Sequence, residues 1–219
     1  MKDMLKDYYK SLNVDERVFE YCNSVEEKLK DRFAKIDAVS EINQLKVLKA
    51  MQDNRLSEAH FAGSSGYGYT DDGRDALERI YADVFHTEDA LVRSQIVCGT
   101  HALCTAMFGN LRPGDEILAI AGKPYDTLDE IIGIRDSRGS LAEYGVTYAQ
   151  VDLLPDGEFD IDGIKKAINS RTKLVEIQRS KGYAVRKTLS VQQIGEAIKA
   201  VKSVNPDIIC MVDNCYGEF

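Results

Sequence analysis

The sequence contains no tryptophan, only four prolines and only three histidines among 219 residues. His60, His86 and His101 show no spacing that would gather them on one metal, so a metal centre is not expected. There is no CxxC pair, and the cysteine count of five is odd, which excludes a disulfide framework. We therefore read Cys22, Cys98, Cys104, Cys210 and Cys215 as reduced thiols of a cytoplasmic protein. No window holds the ~20 apolar residues of a membrane helix, and the opening MKDMLKDYYK has no apolar run to serve as a signal peptide. Basic residues are in deficit, 28 against 36 acidic, for a net charge of −8. That balance argues against nucleic acid or an anionic membrane as partner. The glycine fingerprints GxGxxG and GxxxxGK[ST] are absent, which counts against a dinucleotide or Walker-type phosphate site.

What is present divides in two. Residues 1–60 lack proline and glycine, and Ile36, Val39, Ile42, Leu45, Leu48 and Met51 recur at three-to-four-residue spacing, which predicts an arm of two or three helices. The loop FAGSSGYGYTDDGR (61–74) follows, and after it short apolar strands alternate with helices. Strands are expected at 90–97, 116–121, 146–152, 173–178 and 207–213. Helices are expected at about 74–84, 100–110, 125–133, 160–169 and 191–203. Asp160 and Ser190 are candidate N-caps. This alternation predicts an α/β fold with a mostly parallel sheet and flanking helices over residues 61–219.

Ligands of such sheets sit at the carboxyl ends of strands. VCGTHAL offers a glycine and a helix start suited to a phosphate, with Gly99 and Thr100 as donors and His101 close by; an ordinary capped turn is the alternative. GKPYDT puts Tyr125 where an aromatic can stack on a flat ring, or where a turn needs a tyrosine. Asp213 ends an apolar strand, a costly place for a carboxylate unless it meets a cation or caps the next segment. Tyr67, Tyr69 and Arg74 either clamp an anion or belong to a plain linker.

In the order SSGYGYTDDGRDALERIYADVF, EDALVRSQIVCGTHAL, LRPGDEILAIAGKPYDTL, IQRSKGYAVR and VDNCYGEF, the sequence resembles the methionine γ-lyase-like proteins, also called aluminium-resistance or cystathionine β-lyase-like proteins. The resemblance runs from about residue 25 to residue 219. It implies the large domain of a pyridoxal 5'-phosphate (PLP) enzyme of the aspartate-aminotransferase fold, with a carbon–sulfur lyase activity on a sulfur amino acid. It implies that Asp213 pairs with the pyridine nitrogen and Tyr125 stacks on the ring. It further implies that Gly99, Thr100 and His101 serve the phosphate, and that Arg179, Ser180 and Asn214 lie near the cofactor. Tyr67, Tyr69 and Arg74 take the place of a Tyr-x-Arg segment that reaches the phosphate of a neighbouring subunit, so a homodimer or homotetramer is implied. No lysine follows Lys202, whereas the family's Schiff-base lysine lies a few tens of residues after the aspartate. The stretch is therefore expected to be a truncated, N-terminal half of such an enzyme, inactive by itself. The alternative is a short non-catalytic paralogue that binds a phosphate ligand or a partner chain.

Overall fold

The computed structural model describes every residue except Met1, Gly68, Thr70, Glu218 and Phe219, together with the side chains of Lys2 and Asp3. Two of the omitted residues belong to the 61–74 loop and two to the segment after the last strand, so those parts of the expected site lie outside the described residues. The chain forms two compact units, one up to Arg93 and one from Ser94 onward.

The first unit is helical. Helix α1 spans Lys2–Ser11 and α2 spans Glu16–Asp53. A 3-10 turn covers Glu58–Phe61, and α3 spans Asp72–Phe85. At 38 residues, α2 is about 57 Å long. It starts where the Asp15 side chain accepts the Arg17 N–H at 2.8 Å, and it stops at Asn54, whose amide donates to Ala50 O and Asp83 Oδ2. Its last turns pack on α3, where Ala50, Val47 and Met51 meet Ile80 and Val84, and its start meets α1 through the Tyr9–Phe19 ring pair.

The expected strand at 90–97 does not form; residues 91–98 are loop and turn. The apolar pattern of ALVRSQIV suits a strand, but the segment has no strand to pair with. The Val92 N–H donates instead to Glu78 Oε1 at 3.0 Å, and Arg93 forms an ion pair with the same carboxylate. Leu91 and Val97 remain exposed.

The second unit is a parallel α/β layer structure. Helix α4 spans Gly99–Asn110 and strand β1 Glu116–Ala119. After a 3-10 turn at Asp126–Leu128 come α5 at Asp129–Ile132 and β2 at Thr147–Gln150. Helix α6 (Ile161–Ala167), β3 (Thr172–Gln178), α7 (Val191–Val204) and β4 (Ile209–Asp213) complete it. The four strands are all parallel, in the order β2-β1-β3-β4. Such sheets are covered on both faces, and alternate residues sort accordingly. Leu118, Val175 and Ile177 face α6 and α7, meeting Ile164, Ala197 and Val201. Ile117 and Leu174 face α4 and α5, meeting Met107, Leu128 and Ile132. Asp160 caps α6 through the Gly163 N–H at 2.8 Å, and Ser190 with Gln193 forms a reciprocal capping box on α7.

At the amino end of the sheet, buried Glu116 locks β1 to β3. Its Oε1 accepts from Asn169 Nδ2 at 2.7 Å and from Thr172 Oγ1 at 2.8 Å. The opposite, carboxyl end is left for chemistry.

Candidate cofactor site

At the carboxyl end of the sheet, α4 presents its N-terminus. Cys98 is the cap residue, with its Sγ accepting the His101 N–H at 3.4 Å. Gly99 and Thr100 are the first two helical residues, so their N–H groups have no intrahelical acceptor. The first turn of α4 holds no acidic residue, and a Cβ added at Gly99 would meet nothing within 4 Å. An anion can therefore approach these amides, helped by the helix dipole. His101 is exposed, and its Nδ1 lies 3.4 Å from the Val97 N–H, which makes it a local cap here.

Thr100 ties α4 to the next element. Its hydroxyl donates to Thr127 Oγ1 at 3.2 Å, holding the turn that carries Tyr125. The Tyr125 ring stacks on that of Tyr183, with centroids 6.0 Å apart and planes 28° apart. Hydrogen bonding with the Tyr183 hydroxyl, followed by partial burial, pushes the Tyr125 hydroxyl up to about 12. Gly182 makes this approach possible: its φ is +52°, and a Cβ there would lie 3.2 Å from Tyr125 Cδ2.

Asp213 is the last residue of β4 and is half-buried. Its Oδ1 accepts the Cys215 N–H at 3.2 Å; its Oδ2 accepts no hydrogen bond from the described residues. Arg179 braces the two loops beside it. Its Nη1 donates to Asn214 Oδ1 at 2.7 Å and to Gly217 O at 2.6 Å, and its Nε donates to Leu189 O at 3.2 Å. The Ser180 carbonyl accepts from Arg186 Nη2 at 2.7 Å. Arg179 and Ser180 line a cleft of about 310 Å³ with Thr188, Cys215 and Tyr216.

The start of α4, the end of β4 and three loops of one unit thus hold Gly99, Thr100, Tyr125, Arg179, Ser180, Asp213 and Asn214. Arg179 and Asn214 act on each other, so their polar groups are already committed. Tyr67, Tyr69 and Arg74 belong to the other unit. There Arg74 Nε pairs with Asp71 Oδ2 at 2.9 Å, and Tyr67 and Tyr69 are exposed.

Sequence reasoning missed Glu176, Gln178 and Tyr183. Glu176 is wholly buried, and among the described residues neither of its carboxylate oxygens finds a hydrogen-bond partner; nor do the buried Gln178 Oε1 and Asp129 Oδ1. A charged residue inside the apolar run KLVEIQ was the available signal. Among the described residues, no group of three His, Cys, Asp or Glu side chains could hold a metal, and no helix is long and apolar enough to cross a membrane.

The donor set fits pyridoxal phosphate: open amides at a helix start for the phosphate, an aromatic face, and for the ring nitrogen a carboxylate with one oxygen that accepts nothing from the described residues. The comparisons agree. The family model described as methionine gamma-lyase matches residues 18–219. A curated, uncharacterized Bacillus subtilis protein, YnbB, is 53% identical over 186 residues, covering 84% of this chain and 44% of its own length. A carbon-sulfur lyase involved in aluminum resistance from Clostridium novyi superposes with a TM-score of 0.91 at 47% identity, covering 97% of this chain and 51% of that one. A Clostridium acetobutylicum protein, provisionally assigned as a cystathionine beta-lyase involved in aluminum resistance, gives 0.92 at 48%, covering 100% and 52%. This chain thus spans about half the length of these relatives. A pyridoxal-5'-phosphate-dependent protein at 17% identity shares the fold, with a TM-score of 0.58. The fold is that of the large domain of pyridoxal-phosphate enzymes, and the chain belongs to the methionine gamma-lyase family.

Proposed function

We propose that this chain is the N-terminal part of a PLP-dependent carbon–sulfur lyase that acts on a sulfur amino acid by β- or γ-elimination, in the cytoplasm. One observation carries the reading. Asp213, a carboxylate whose Oδ2 accepts no hydrogen bond from the described residues, closes a parallel strand in the unit where the open amides of Gly99 and Thr100 stand beside the Tyr125 turn.

When bound, pyridoxal phosphate supplies an electron sink for the carbanion formed at Cα. The chain's own residues prepare that sink. Asp213 Oδ2 would accept the ring N–H and keep the nitrogen protonated. The N–H groups of Gly99 and Thr100 would donate to the phosphate, with the α4 dipole behind them. Tyr125 would hold the ring by its face. Arg179, through Asn214 and Gly217, fixes the loop that begins at Asp213. No lysine follows Asp213 in this sequence, so the stretch alone is proposed to bind the cofactor without a covalent bond and not to turn over. Homo-oligomeric assembly, with Tyr67, Tyr69 and Arg74 serving the phosphate of a neighbouring subunit, is part of the same proposal.

The test is a fluorescence titration of the cofactor-free protein with pyridoxal phosphate, comparing wild type with Asp213→Ala. A charge-assisted hydrogen bond is worth about 1.5–3 kcal/mol, so the variant is expected to bind roughly 10- to 100-fold more weakly. Equal affinities would sink the assignment of Asp213.

A further inference from the structure

Glu176 has no place in the site as described, and its surroundings are unusual. It lies on β3 with its side chain buried, and among the described residues neither Oε1 nor Oε2 has a hydrogen-bond partner. Strand alternation puts it on the same face as Leu174 and Gln178, the face covered by α4 and α5. The register sets Glu176 opposite Met211 and Gln178 opposite Asp213, so Asp213 is the diagonal neighbour of Glu176 on the adjacent strand. On its other side Glu176 is paired with Ala119, which offers no polar side-chain group to it.

The charged and titratable groups around it are mostly acidic. Asp213 acts on Glu176 directly. Glu176, Asp152 and Asp129 all act on Tyr148 of β2, and with burial they raise its hydroxyl. Lys123 is committed to this acidic group: its Nζ lies 2.7 Å from Asp129 Oδ2. A buried carboxylate with no cation and no donor is too costly to keep ionised. Burial first, and the charge of Asp213 second, push Glu176 up to about 8.

We propose that Glu176 is a positioning residue for the cofactor carboxylate, held as a neutral acid behind Asp213 and releasing its proton to solvent when a cationic ring comes to Asp213. The inference rests on the pyridoxal-phosphate reading above. A ring cation paired with Asp213 cancels the negative field that helps hold the Glu176 proton, so the proton leaves more easily. By reciprocity, ionised Glu176 makes the site more negative and tightens its hold on the cation. The neutral acid keeps the cofactor-free site from carrying a buried negative charge beside that of half-buried Asp213.

The experiment is a calorimetric titration of the complete native protein, stripped of cofactor, with pyridoxal phosphate. Runs in buffers of different ionisation enthalpy count the protons released. Wild type is expected to release more protons than Glu176→Gln, by a fraction of one proton. That difference should be largest near pH 8 and vanish about two pH units lower, where the acid stays protonated throughout. Equal proton release at every pH, with binding intact, overturns the role of Glu176 and leaves the cofactor reading standing. A wild-type protein that binds no pyridoxal phosphate overturns both. Infrared spectroscopy of the wild type covers the case in which Glu176→Gln does not fold. The C=O stretch of a protonated carboxylic acid is expected in the cofactor-free protein and should weaken when pyridoxal phosphate is added near pH 8. An unchanged band counts against the proposal.

Discussion

Asp213 and Glu176 are diagonal neighbours on one face of the sheet, with opposite access to water: Asp213 is half-buried and Glu176 is not exposed at all. The difference gives a prediction about stability. Below pH 4.5, the ordinary carboxyl value, Glu176 is protonated whether the chain is folded or not, and it adds no pH dependence. Between there and about 8 the unfolded chain loses this proton and the folded chain keeps it. Folding therefore weakens as pH rises through that window and levels off above it, by an amount on the order of a few kcal/mol. Urea denaturation of wild type and Glu176→Gln across this range should show the variant gaining on wild type as pH rises; parallel curves would contradict it. A second residue-scale prediction concerns Gly182, whose positive φ and closeness to Tyr125 leave no room for a side chain. Gly182→Ala should cost about 1 kcal/mol or more and disturb the Tyr125–Tyr183 stack, seen as a shift in tyrosine fluorescence. Asp213 stood out as a candidate because a carboxylate directly after IICMV must either meet a cation or cap the next segment; its Oδ1 does take the Cys215 N–H. Glu176 was not, because a single acid in a strand reads equally as a solvent-facing residue until the helices covering that face are known.

Elements were legible where local chemistry agreed with tertiary pairing. The spacing of VQQIGEAI and its Ser190 start predicted α7 to within a residue, and the capping box is present. Removing the Ser190 hydroxyl by Ser190→Ala should cost about 1 kcal/mol, measurable as a lowered urea midpoint. The helices at 72–85 and 99–110 likewise formed as periodicity required. The segment 90–97 is the instructive miss. Its composition is that of a strand, but a strand also needs an unoccupied neighbour, and Glu78 took the Val92 N–H first. No feature of the eight residues themselves records that competition. Arg179 gives the remaining element-scale prediction. It joins the loop after β3 to Asn214 and Gly217, so Arg179→Ala should raise amide hydrogen exchange in 214–217 while leaving β1 and β3 protected. Unchanged exchange would show that the loop holds itself.

Across the whole chain, the parallel α/β layer was legible from alternation alone, while the strand order was not, since pairing is decided by contacts far apart in sequence. The helical unit leaves much apolar surface uncovered: along α2, Ile36, Val39, Ile42, Leu45 and Leu48 are 50–66% exposed. A contiguous apolar stripe of this kind favours association. We expect concentration-dependent self-association in sedimentation experiments, reduced by the double substitution Ile42→Lys and Leu45→Glu; a monodisperse monomer at all concentrations would refute this.

The strand order has a consequence for time. Strand β1 pairs with β2 across 31 residues, from Glu116 to Thr147, and β3 pairs with β4 across 35, from Leu174 to Ile209. The central pairing of β1 with β3 must span 56, from Glu116 to Thr172. Longer closure costs more entropy before any contact repays it. The two outer pairs should therefore zip first, and the molecule should wait for its middle. That wait ends at Glu116, whose hydrogen bonds to Asn169 and Thr172 clasp the two halves. In this chain the rate of folding is governed at the end of the sheet farthest from the chemistry.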